Sequence, residues 1–316
     1  MIKNKIDNEF NELVEFVKSK NKEQMINVIK NNFEYRRSHN ILEYSAITRF
    51  YNEHSNLWGK IDISSDKLEL IENNASALVE HIDDYKWLYQ NLQDYRSKKI
   101  LVAVLYYWLW MDFKKVEQIK DENYEQYFDL DLIKCDENEI FVDVGGFVGD
   151  SMYNYCQNYG SDCYSKMYCY EISQKNIEYI KKNVAIFKMK NIEIIKKGVS
   201  DKVGTMYIEN DEKSSSVNVL SNFGDEEIET TSIDKDISGK VTFIKMDIEG
   251  GEEKAIVGCK KKIKEYHPKL AISVYHHNEH LYKIAKIINS YDSRYKFYLR
   301  YYGGKLLPTE YILYAV

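Results

Sequence analysis

Proline is nearly missing from this 316-residue chain; only Pro268 and Pro308 occur. Lys, Asn, Ile and Tyr are abundant instead, which reads as compositional bias and gives the tyrosines no meaning as a binding code. Cysteine is sparse too. Cys135, Cys156, Cys163, Cys169 and Cys259 make an odd set without a Cys-x-x-Cys pair. A disulfide framework or structural zinc site is therefore not expected, and a reducing, cytoplasmic setting is. Positive charge is not in excess. A formal net charge of -6 argues against nucleic-acid binding by bulk electrostatics. The N-terminus lacks an apolar signal core. The longest apolar run, Ile100 to Met111, is far short of the about 20 residues that span a bilayer, so no transmembrane segment is expected. No internal repeat marks a solenoid.

What is present suits one large domain with an appendage, or two domains, with a core that needs no staples. Phe10, Leu13, Val14 and Val17 share one helical face, and Met25, Ile26, Ile29 and Phe33 repeat it after Asn21, an expected N-cap. Asp66 is the expected cap of a longer helix carrying Leu68 to Val79, and a further helical stretch runs from Tyr85 to Ile119. Residues 120 to 139 turn acidic and polar, placing a boundary that separates a helical region, 1–120, from a second domain, 121–316. There the texture alternates: strands at Ile140–Val144, Met167–Glu171, Ile192–Gly198, Val241–Asp247 and Leu270–Tyr275, with helical stretches between them, including one from Glu252 to Tyr266. That alternation predicts an α/β fold, a mostly parallel sheet with helices on both faces. Tyr295–Tyr302, Gly303-Gly304 and Tyr311–Val316 predict a closing antiparallel hairpin.

The chemistry gathers at the predicted strand ends, where open α/β sheets bind ligands. Phe141-Val-Asp-Val-Gly-Gly-Phe-Val-Gly-Asp150 is a buried strand ending in an acid and glycines. Asp143, Gly145, Gly146 and Phe147 are the candidate cofactor turn, with Gly149 opening the next helix. Glycines alone also fit any strand-to-helix turn. Glu171 ends the following strand and can accept both hydrogen bonds of a ribose diol. Ser200 and Asp201, in Gly198-Val-Ser-Asp201, are candidates for an adenine edge. In an extended strand Lys245, Asp247 and Glu249 would share one face. Asp247 and Glu249 are candidates to hold a ligand ammonium, act as base or bind a metal. His276, in Tyr275-His-His-Asn-Glu-His280, is the candidate proton acceptor beside Asp247. The three histidines there do not make the zinc signature of a metalloprotease.

These pieces, with Thr231-Ser-Ile-Asp234, Ile244-Lys-Met-Asp-Ile-Glu-Gly-Gly-Glu252 and Ala255-Ile-Val-Gly258, resemble the FkbM family of S-adenosylmethionine-dependent methyltransferases. The resemblance covers about half of the chain and leaves 1–120 unexplained. It implies a class I methyltransferase (Rossmann-like) sheet, with the antiparallel hairpin at its C-terminus and the helical region before it. It implies that Gly145 and Gly146 lie against the methionine portion of the cofactor with Asp143 beside it, and that Glu171 takes the ribose hydroxyls. Phe147 stands where many methyltransferases carry another glycine, and this family accepts larger residues there. Family members are associated with O-methylation of sugars or of secondary-metabolite hydroxyls.

The expected reaction is an in-line displacement in which the protein places a hydroxyl and helps remove its proton. His276 or Asp247 is the expected base, with Glu249 orienting it or joining Asp247 around a divalent metal; base catalysis without metal is favoured. The expected partner is a sugar, glycan or other hydroxyl-bearing acceptor. The helical region is expected to act as lid, dimerisation element or acceptor dock. Two alternatives stand: a nicotinamide-dinucleotide oxidoreductase, disfavoured by Asp143 and by the Asp247/Glu249 box, and a non-catalytic S-adenosylmethionine-binding protein.

Overall fold

Period-3.6 apolar faces become helices in the first third of the chain, and short apolar runs become strands in the rest. The computed structural model describes residues 4–65, 67–208, 226–304 and 308–316. The chain divides into two compact units, one of Met1–Glu122, Val274–Lys283 and Lys296–Ile312, the other of Asn123–Ser273, Ile284–Tyr295 and Leu313–Val316.

In the first unit, helices Lys5–Lys18 and Lys22–His39 each start with a reciprocal capping box, from Asn4 and from Asn21. Phe10, Leu13, Val14 and Val17 are buried as the spacing predicts, and Phe10 stacks on Tyr89. Met25, Ile29 and Phe33 are buried as well, while Ile26 is half-exposed. The long helix Glu69–Asn91 starts without a side-chain cap and kinks at His81; Asp66 lies outside the described residues. The apolar run forms an interior helix, Tyr95–Trp110, and no helix among the described residues is long and apolar enough to cross a membrane. Side chains of this unit, from the short helix Ser55–Trp58 and from Glu69–Asn91, brace the segment that carries His276. Trp58 Nε1 donates to the Tyr275 carbonyl at 3.0 Å, Tyr85 Oη to the Asn278 carbonyl at 3.0 Å, and Asn278 Nδ2 to Asn74 Oδ1 at 2.9 Å.

Among the described residues ten strands follow: β1 (Ile140–Val144), β2 (Lys166–Tyr170), β3 (Ile192–Ile195), β4 (Gly198–Val199), β5 (Gly204–Ile208), β6 (Glu226–Thr231), β7 (Phe243–Met246), β8 (Lys269–Ser273), β9 (Phe297–Tyr301) and β10 (Tyr311–Ala315). The main sheet has the order β3-β2-β1-β7-β8-β10-β9. β1 pairs in parallel with β2 and β7, β2 with β3, and β7 with β8. The C-terminal hairpin closes the edge in the antiparallel sense. The fold is thus the expected α/β class I methyltransferase arrangement. Residues 305–307, in the hairpin connection, lie outside the described residues.

Three expectations need correction. Gly198-Val199 does not prolong β3; it forms β4 of a separate small sheet, β4-β6-β5, that sequence reading did not find. The signal was there in β6, where Ile228 and Thr230 are buried between exposed Glu227 and Glu229. The helix expected from Glu252 to Tyr266 breaks into Glu252–Val257 and Lys260–Tyr266. The break falls at Gly258, whose Cα presses on the Ser200 carbonyl so closely that a β-carbon would stand 2.1 Å from it. Finally, β7 ends at Met246, so the period-two face that put Asp247 and Glu249 beside Lys245 stops short of both acids. Glu249 instead has φ +53 and Gly250 φ +99, a turn that re-aims the chain.

Candidate active site

The turn after β1 is built by the chain around itself. Gly145 has φ +85, and a β-carbon on it would stand 1.9 Å from the Asp247 carbonyl oxygen. A β-carbon on Gly146 would stand 2.2 Å from Cys169 Sγ. The two glycines therefore make room for the chain just after β7 and for β2, a packing reason that adds to the sharp turn and ligand approach read from the sequence. The N–H groups of Gly145 and Gly146 both donate to the Tyr170 carbonyl at 3.0 Å. Gly149, at φ +85, leads into helix Asp150–Tyr159. Phe147, at φ +46, is exposed.

Glu171 braces that turn from the end of β2. Its Oε2 accepts the Phe147 N–H at 2.8 Å, and its Oε1 accepts those of Ile172 and Ser173, each at 2.8 Å. Burial raises its pKa above the ordinary glutamate value, against the pull of these three donors. Ser200 is buried at the end of β4, its N–H given to the Thr231 carbonyl at 2.7 Å; its hydroxyl donates to the exposed Asp201 at 3.1 Å.

Beneath the turn lies a charge network. Asp143 and Lys245 face each other in the parallel register of β1 and β7, and both are buried. Lys245 Nζ lies 2.9 Å from Asp143 Oδ1 and donates to the Gly145 carbonyl at 2.6 Å. Burial lifts the Asp143 carboxyl to about 6 despite the ammonium beside it. Burial also works to lower Lys245, but Asp143 and Asp247 outweigh it and hold the ammonium above the usual lysine value. Asp143 Oδ2 has no hydrogen-bond partner among the described residues. An orphaned buried carboxylate oxygen beside a glycine turn is a place for a donor that the chain does not supply. The cradle fits a cofactor carrying an ammonium group.

Asp247 follows β7, its N–H donated to the Val144 carbonyl at 3.0 Å. Tyr127 Oη donates to Asp247 Oδ2 at 2.6 Å, receives Gln126 Nε2 at 3.0 Å, and keeps its ring 5.1 Å from Lys245 Nζ. Tyr127 has φ +72, uncommon for a bulky residue and a mark of backbone held by its surroundings. Glu252 is fully buried; its Oε1 accepts the Ile248 N–H at 2.8 Å, and one of its carboxylate oxygens lies within 4.8 Å of one of Asp247.

The second unit thus brings together Asp143, Gly145, Gly146, Phe147, Glu171 and Asp247 of the expected set. Glu249 sits in the turn beyond, and Ser200 with Asp201 in the loop just after β4. His276 belongs to the first unit, where it is fully buried with its ring 4.1 Å from that of Tyr275. Tyr127, Lys245 and Glu252 carry roles that sequence reading missed. A lysine in the middle of the apolar strand Phe243–Met246 was a usable signal. Nothing in the acidic segment singled out Tyr127.

A family model described as the methyltransferase FkbM domain matches residues 143–303. No curated protein sequence matches the chain. Among solved structures, the chain is similar to methyltransferase FkbM from Methylobacillus flagellatus KT, with TM-score 0.67 and 22% identity over 85% of this chain and 70% of that one. It also matches an rRNA methylase from Streptococcus thermophilus, at TM-score 0.38 and 14% identity over 57% of this chain and 87% of that one. A third match is Aeropyrum pernix fibrillarin with natively bound S-adenosyl-L-methionine, at TM-score 0.37 and 11% identity over 57% and 67%. The first supports the fold, and the two weaker ones carry no further argument. The family model spans half of the chain and contains the whole glycine turn: the protein belongs to the FkbM family of S-adenosylmethionine-dependent methyltransferases.

Proposed function

We propose that this methyltransferase moves a methyl group from S-adenosylmethionine to a hydroxyl oxygen of a sugar or glycan, with Asp247 as the base. Bound S-adenosylmethionine supplies a methyl already activated on a sulfonium. The chain's own work is then to hold, orient and deprotonate. Asp143, through its unpaired oxygen, Gly145, Gly146 and Phe147 would hold the methionine portion, and Glu171 the ribose hydroxyls. Ser200 and Asp201 remain the candidates for the adenine end.

The observation that carries the assignment of the base is the grip on Asp247. One oxygen is fixed by the Tyr127 hydroxyl and the main chain is packed on Gly145, so a carboxylate stands fixed beside the cofactor turn. A half-exposed carboxylate so held can take a hydroxyl proton and direct the oxygen. His276 is kept as the second candidate, and Glu249 as the group that orients the base. Transfer without metal is the favoured reading. Family membership sets aside the nicotinamide alternative.

The test is transfer of labelled methyl from S-adenosylmethionine to a panel of glycans and sugar nucleotides, with product identified by mass spectrometry. Asp247→Ala is expected to abolish transfer while S-adenosylhomocysteine still binds. If Asp247→Ala and His276→Ala both kept turnover within about threefold of the wild type, the base assignment would be wrong. Label on nitrogen or carbon instead of oxygen would overturn the reaction class.

A further inference from the structure

Lys245 is a buried cation in a central strand of the sheet. It lies in the middle of a four-residue strand whose residues are all buried, in a position where a central parallel strand ordinarily carries an aliphatic side chain. A buried ion pair is weak evidence for stability, because desolvation offsets most of the attraction. A lysine buried here calls for another reason. The ammonium does two things besides neutralising Asp143: it donates to the Gly145 carbonyl at 2.6 Å, and it lies against the Tyr127 ring. Gly145 is the first residue of the cofactor turn and sits at φ +85. Its N–H is already fixed to Tyr170, so Lys245 supplies the second restraint on the same residue, from the opposite neighbour strand. By holding Asp143 Oδ1, the same ammonium leaves Oδ2 as the open acceptor.

We propose that Lys245 is a positioning residue for the cofactor: its ammonium locks the Gly145 carbonyl and one oxygen of Asp143, and so sets the turn in the shape that receives the methionine end of S-adenosylmethionine. The proposal rests on the reading that this turn binds that cofactor. Lys245 acts through Gly145 and Asp143, the two groups its ammonium holds. Methionine at this position would fill the same volume without charge or donor. Glutamine keeps a donor but is one bond shorter, so it cannot hold both partners at once.

The experiment is calorimetric titration of the full chain with S-adenosylhomocysteine, alongside thermal melts. Lys245→Met is expected to weaken binding at least about tenfold, and Lys245→Gln at least about fivefold. Lys262→Met is the control. Lys262 is also buried and donates to a main-chain carbonyl, that of Gly239 at 2.7 Å, outside the cofactor turn. It is expected to lower the melting temperature and leave affinity within about twofold. If either Lys245 variant is folded and binds within about threefold of the wild type, the proposal is overturned. It is equally overturned if Lys262→Met loses as much affinity as Lys245→Met. A wild-type protein that fails to bind S-adenosylhomocysteine refutes the cofactor reading itself, a result distinct from both.

Discussion

Gly145 packs against the main-chain carbonyl of Asp247 so closely that a β-carbon would stand 1.9 Å from its oxygen. The cofactor turn and the proposed base therefore cannot move independently. Gly145→Ala is expected to cost more than about 3 kcal/mol, the sum of a left-handed backbone and a main-chain clash. Gly239→Ala separates the two terms, since Gly239 has φ +82 and nothing within 4 Å of its added β-carbon. It should cost only about 1 kcal/mol. Urea unfolding of the two variants checks this, and equal losses would show that the carbonyl contact is unimportant.

The Tyr127 hydroxyl is the other hold on Asp247. Tyr127→Phe keeps the ring over Lys245 and removes only the donor. A hydrogen bond to a charged group contributes roughly 1.5–3 kcal/mol. Turnover is expected to fall by about tenfold or more, with the affinity for S-adenosylhomocysteine little changed. A drop in cofactor affinity with turnover kept would place Tyr127 on the cofactor side instead.

Asp143 makes a pH signature. Its folded carboxyl titrates at about 6, above its ordinary value of 3.8, so the folded chain holds that proton more tightly than the unfolded chain does. The contribution is fully present below the unfolded value and is lost as pH rises through about 6. Relative to Asp143→Asn, the wild type should lose up to about 1.4 kcal/mol per pH unit across that window. Urea midpoints of both proteins at about pH 4 and about pH 7 decide it. A gap that stays constant, or widens in favour of the wild type at the higher pH, contradicts the assignment.

Glu171 holds three main-chain N–H groups, one of them from the cofactor turn. Glu171→Gln turns one acceptor oxygen into an NH2 that must face a donor. Affinity for S-adenosylhomocysteine is expected to fall by about tenfold, together with the melting temperature. Unchanged affinity, measured calorimetrically, would leave Glu171 as a brace of the turn with no part in binding.

Much of this was legible in advance because it is local. β1 lies where its apolar run predicts, Asn21 caps its helix, and the glycine turn precedes a helix. The failures are equally physical. Lys245, Asp247 and Glu249 look like one strand face only if the strand continues, and Glu249 at φ +53 ends that premise. Gly258 gives no sign in the sequence that it lies against Ser200, so the helix break went unseen. β6 alternates properly, but its many glutamates hid a strand of only six residues.

Periodicity, capping residues and the order of strand ends determined the fold class and the position of the cofactor turn, because each depends on neighbours a few residues apart. Tertiary structure alone decided what the turn faces. Lys245 meets Asp143 through the register of two strands far apart in the chain, and Tyr127 reaches Asp247 from outside any strand or helix. Such pairings are set by which strands lie side by side and in what register, and no local preference encodes them.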